Sequence, residues 1–228
     1  FNWHLRAAKP VTAPLLLLVV TLWTLFLSSC SHQTPASTSS GSALYLPPAS
    51  STTDASLSPA FIVKETDKLF NRIGSPKART VNEDSFDIFV DPENPALFFE
   101  SQEFTTAKGR YTNLIYRIHF PEVPLDWTSI NLTGGKNPGI LIIYTLDSAR
   151  NLILVTTVHT CGCYLAFFPT TAIPQDALPK DWPTSSQSVY GYTLPSQLDY
   201  RSKGTERRIA FTLENETHRI GSVAVIDP

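Results

Sequence analysis

His159-Thr160-Cys161-Gly162-Cys163 is the one cluster in this sequence whose residue types and spacing could do chemistry. Two thiolates and an imidazole are ligands that zinc, copper(I) and iron accept. In an extended chain, side chains two residues apart leave the same face, so His159, Cys161 and Cys163 would sit together. Gly162 would let the backbone bend until both sulfurs face one point. A fourth ligand would come from His119, His218, a carboxylate or water. His119 alternates with Ile115 and Arg117, on the side of its strand opposite the apolar residues.

The same two cysteines allow dithiol–disulfide redox chemistry. A Cys161–Cys163 bridge would close a strained ring that is readily reduced, and His159 could lower a thiol pKa. As a plain structural staple it would be poor, because closing a three-residue loop removes only about 1.6 kcal/mol of chain entropy before strain is subtracted. A simple disulfide is nonetheless the ordinary fate of paired thiols outside the cytoplasm. Metal site, redox pair and structural cysteines are therefore the three competing readings.

Absent signatures narrow the field. There is no Cys-x-x-Cys at a helix start, no Cys-x-x-Cys-His, no Gly-x-Ser-x-Gly and no His-Glu-x-x-His. Asp84, Asp87, Asp91 and Glu93 lack EF-hand spacing, and Gly134 to Gly139 lacks that of a phosphate loop, leaving it a turn. Trp182, Tyr190, Tyr192 and Tyr200 read as core or rim rather than as a ligand groove. No catalytic residue is named, and a non-catalytic binding module is the leading expectation.

The N-terminal segment supplies an address. Arg6 and Lys9 precede an apolar run from Ala13 to Leu27, and Ser28, Ser29 and Cys30 follow. That order is the one of an export signal, and the run is shorter than the roughly 18 or more residues of a spanning helix. Leu27-Ser28-Ser29-Cys30 resembles the lipobox of bacterial lipoproteins. The resemblance covers only about the first thirty residues. It implies cleavage before Cys30, lipidation of that thiol and attachment to the membrane through the acyl chains. Ser31, where aspartate would favour inner-membrane retention, points to the outer membrane, facing the periplasm. An uncleaved anchor is the alternative, and it too places the rest of the chain outside the cytoplasmic membrane. Methionine is absent, including at position 1, so the natural chain is expected to start upstream of Phe1.

Residues 30–60 are rich in Ser, Thr, Ala and Pro, with Asp54 the only acid and no Lys or Arg. Such a stretch buries too little apolar surface to offset its ordering entropy and is expected to be a flexible tether. As a coil of about 30 residues it would reach on the order of 30 Å. Residues 61–228 are expected to form one β-rich domain. Without residues 1–29, which hold Arg6 and Lys9 and no acid, 16 basic residues face 20 acidic ones. That balance excludes the concentrated basic face that nucleic acid requires. Membrane, through the anchor, and a protein or small molecule remain as partners.

The elements that must position the cluster follow from periodicity. Ser58-Pro59 with Ile62, Thr66, Leu69, Phe70 and Ile73 predicts one short amphipathic helix closed by Gly74 and Pro76. Strands are predicted over 86–90, 97–105 and 111–120, the last with Leu114, Tyr116, Ile118 and Phe120 on one face. Residues 140–146 and 152–158 read as a hairpin of two central strands about a five-residue loop. Centred pairing would set Ile140 opposite Val158 and leave His159 just beyond the ladder. Segment 163–168 continues as a further strand, 169–195 reads as a long loop, and 209–213 with 218–226 makes a second hairpin. The fold class is mainly β (α+β): an antiparallel sheet or sandwich of hairpins with one short N-terminal helix.

Overall fold

The computed structural model describes residues 41–47, 57–124, 134–200 and 207–226. In chain order its strands are β1 (Ala43–Tyr45), β2 (Ala60–Val63), β3 (Ser75–Asn82), β4 (Ser85–Asp91), β5 (Phe98–Thr106), β6 (Gly109–His119), β7 (Glu122–Val123), β8 (Gly135–Lys136), β9 (Gly139–Leu146), β10 (Leu152–His159), β11 (Ala166–Pro169), β12 (Ser186–Val189), β13 (Tyr192–Pro195), β14 (Arg208–Leu213) and β15 (Ile220–Ile226). Single 3-10 turns lie at Leu69–Asn71 and Gln175–Ala177. The fold is mainly β, as the periodicity requires.

Two sheets carry the core. One has the order β1-β2-β14-β15, the other β11-β10-β9-β6-β5; short hairpins β3-β4, β7-β8 and β12-β13 decorate them. All pairings within the larger sheet are antiparallel, while β2 and β14 run parallel. Alternation along β6 works as expected: Leu114, Tyr116, Ile118 and Phe120 are all at most 1% exposed. They meet Ile140, Ile142, Tyr144 and Leu146 of β9 and Phe61, Phe211 and Leu213 of the other sheet in one hydrophobic cluster. Burying each such side chain contributes about 1.5–3 kcal/mol.

Four expectations are corrected. Among the described residues the helix predicted after Ser58 does not form. Ala60-Phe61-Ile62-Val63 is instead a strand, held on one side by β1 and on the other by β14. An apolar run that ends in the β-branched pair Ile62-Val63 and has a partner on each edge gains more from two ladders than from its 3.6-residue pattern, which survives only as the turn at Leu69–Asn71. Ser58, rather than capping a helix, is 3% exposed and accepts a hydrogen bond from Arg208 Nη1 at 3.1 Å.

The second correction concerns the tether. Ala43-Leu44-Tyr45 adds an edge strand to β2, so the compact unit reaches into residues assigned to the linker. Tyr45 packs against the core cluster, which is what pays the ordering entropy of this piece. The export signal and Cys30 lie outside the described residues.

The third is register. A bulge at Ile153 shifts β10 by one residue, so His159 pairs with Ile140 and Val158 with Leu141. His159 is therefore inside the ladder, not beyond it. The segment read as a loop over 169–195 also contains the hairpin β12-β13, paired from Ser186↔Pro195 to Val189↔Tyr192.

Candidate functional site

Strand β10 alternates into the core through Val155, Thr157 and His159, and this puts the His159 imidazole inside, 4% exposed. The strand then stops. The His159 amide donates to the Cys163 carbonyl at 2.9 Å, and the Gly162 amide donates to the His159 carbonyl at 2.8 Å. The tight turn this makes needs a left-handed residue, and Gly162 supplies it with φ +82°. Thr160 stays stitched to the neighbouring strand: its amide donates to the Gly139 carbonyl at 2.8 Å and its hydroxyl accepts from the Gly139 amide at 3.1 Å.

The turn separates what sequence spacing would have joined. Cys161 is exposed and Cys163 half-buried, both as free thiols, while His159 points into the core. A hydrogen bond to the Cys161 side chain, with a smaller part from desolvation, raises the Cys163 pKa above its ordinary value. The two thiols are therefore neighbours at the tip of the β10-β11 connection.

His119 goes elsewhere again. It follows Ile118 in β6, so it projects from the outer face of the sheet, whereas Ile118, its partner Ile140 and His159 share the inner face. Its ring meets Phe98 edge-on at 6.0 Å, and it lines a groove with Pro76, Ile88 and Arg117. Desolvation, then the Arg117 charge, lowers its pKa. Among the described residues, no three His, Cys, Asp or Glu side chains are grouped to hold a metal ion. In this conformation the proposed ligands His159, Cys161, Cys163 and His119 are brought together only as the cysteine pair.

His159 belongs instead to a buried aromatic and basic cluster. Tyr164 meets its ring edge-on at 4.8 Å. Arg219 lies 4.5 Å over the Tyr164 ring and donates from Nη2 to the Tyr164 hydroxyl at 2.7 Å. His218, 1% exposed, stacks on Phe120 at 3.8 Å and shares a hydrogen bond between Nε2 and the Phe70 carbonyl at 3.1 Å. Desolvation pushes the pKa of His218 down to about 3, helped by the charge of His159; desolvation and Arg219 push that of His159 down to about 4. Both rings are neutral at physiological pH. The sequence offers His218 only as a spare ligand, and its partnership with Phe120 across the fold has no local signal.

One feature had no sequence signal at all. An apolar cavity of about 450 Å³ opens between β1, β2 and the β5-β6 pair, lined by residues that include Tyr45, Phe61, Leu97, Phe99, Tyr116 and Ile118.

Compared with known proteins, the chain matches no family model, no curated protein and no solved structure.

Proposed function

We propose that this chain is a lipid-anchored cell-envelope protein whose β-rich domain presents Cys161 and Cys163 as a surface thiol–disulfide pair. The observation that carries the reading is a pair of free thiols separated only by Gly162, near enough for the Cys161 side chain to raise the Cys163 pKa, on a turn pinned by hydrogen bonds. Export and anchoring rest on the signal-like segment and on Cys30 in its lipobox-like setting. Among the described residues no third His, Cys, Asp or Glu is grouped with the two sulfurs, and a bare thiol pair supports redox exchange ahead of a three- or four-ligand metal site.

The exchange balances as follows. Cys161, the more exposed sulfur, loses its proton to water and attacks a partner's disulfide, forming a mixed disulfide and releasing one partner thiolate. Cys163 then gives up its proton and attacks Cys161 Sγ, releasing the second thiolate. The chain is oxidised by two electrons and the partner disulfide is reduced. The raised Cys163 pKa keeps that thiol protonated until the first step has removed its neighbour as hydrogen-bond partner.

Equilibrating the full chain in glutathione buffers and alkylating its free thiols tests this. One two-electron transition within the roughly −120 to −270 mV range of exchange proteins is expected, and Cys161→Ser should abolish it. A pair that stays fully reduced, or fully oxidised, across that range would overturn the redox reading. The same samples, purified without chelator, decide the second reading: two adjacent thiolates suit a soft ion such as copper(I), and one copper, zinc or iron per chain with both thiols protected would replace exchange by metal binding. Labelled palmitate incorporated by the native chain, and lost in Cys30→Ala, checks the anchor.

A further inference from the structure

The cavity between the sheets has walls drawn from both of them. Phe61 comes from the smaller sheet and Tyr116, Ile118 and Phe99 from the larger. Its volume, about 450 Å³, lies toward the lower end of the roughly 300–1,000 Å³ of ligand pockets and leaves room for one flexible chain rather than two. Two large apolar side chains at its edge remain open to solvent, Leu46 at 48% and Phe99 at 46% exposure. Protein interiors are close-packed, so an apolar hollow of this size with an apolar rim is a place for an apolar guest.

One end of the cavity is not neutral. Among the described residues no charged side chain lines it, but Ser58 does, and behind Ser58 lies Arg208, 7% exposed. Arg208 Nη1 donates to the Ser58 hydroxyl and to the Pro47 carbonyl, each at 3.1 Å, and both acceptors belong to lining residues. Among the described residues no carboxylate pairs with this guanidinium. A guanidinium stays protonated at any accessible pH, and buried charges are normally paired. Its positive field reaches the cavity wall, where it works against the burial that raises the Tyr116 pKa.

We propose that this cavity binds a free fatty acid, the acyl chain lying between the sheets and the carboxylate turned to the Ser58–Arg208 end. The carboxylate supplies the charge that Arg208 lacks, and the Ser58 hydroxyl offers it a hydrogen bond. A single-chain amphiphile fits where the two chains of a phospholipid do not. The site is separate from the cysteine pair, and its occupation does not depend on the state of those thiols.

The test uses the full chain in phospholipid nanodiscs and a lauric acid carrying a diazirine photolabel. Labelling is expected on peptides containing Leu97, Phe99 or Tyr45, and laurate should compete at least tenfold better than methyl laurate. Arg208→Gln, which keeps a donor for Ser58 and Pro47, should retain labelling and lose that preference. Ala96→Trp, which fills the cavity from its lining, should abolish labelling; Leu97→Trp replaces it where Ala96→Trp does not fold, as judged by circular dichroism. Equal competition by the ester in the native chain would overturn the anionic head. Labelling unchanged in both tryptophan variants, or blocked already by the nanodisc phospholipid, would overturn the site or its single-chain occupant.

Discussion

His159 and Cys161 are two residues apart, yet one lies in the core and the other in water. The buried side is crowded: a Phe120–His218 stack, Tyr164 against His159, and Arg219 over Tyr164. The exposed side is a four-bond turn with two thiols on it and open space around Gly162. Side-chain alternation holds only while the strand lasts, and here it ends at His159. The difference teaches that the segment holds two devices, a buried anchor that fixes where the turn begins and a tip that is free to react. Perturbing the first should cost fold stability; perturbing the second should cost chemistry.

Acid should strike the buried side hardest. The folded state holds His159 and His218 neutral down to about pH 4 and 3, whereas the unfolded chain protonates its histidines near 6.5. Below 6.5 the unfolded state therefore binds more protons, and stability falls as pH falls. The contribution is complete above 6.5 and erodes on the way down to the folded values. Between pH 6.5 and 5 each histidine should cost about 2 kcal/mol, in a range where carboxylates have barely begun to titrate. Urea midpoints at the two pH values measure it. Equal midpoints would mean that both rings are charged or solvated in the folded chain.

How much of this was readable beforehand depends on the range of the forces involved. The β6 face from Leu114 to Phe120 and the β9-β10 hairpin were legible because alternation is a local property. The bulge at Ile153 was not, since two β-branched apolar runs pair about equally well in either register until the tertiary face chooses. Residues 59–73 carried a helical pattern that lost to β1 and β14, partners 18 and 150 positions away in the pairs Ile62↔Leu44 and Ile62↔Thr212. Of the candidate ligands, Cys161 and Cys163 lie near each other because only Gly162 separates them in sequence. His119 was not placed, because its distance from them is set by which sheet face it leaves. The cavity and Arg208 could not be seen in any window, as their partners are scattered from Tyr45 to Arg208.

The tip should respond in the opposite way to the buried cluster, and by much less in stability. Gly162→Ala forces a β-carbon onto a residue at φ +82° with nothing within 4 Å to clash, so the cost is conformational alone, about 1 kcal/mol. That strain should also splay the turn and shift the potential of the thiol pair, whereas a passive loop would keep its potential. Cys161→Ser and Cys163→Ser remove no core contact and should each move the urea midpoint by less than about 0.5 kcal/mol. Each should nonetheless leave a single thiol that no oxidant can close into a ring. If either serine variant instead unfolded the domain, the sulfurs would be packing the β10-β11 connection, and the boundary drawn here between a structural histidine and reactive cysteines would dissolve.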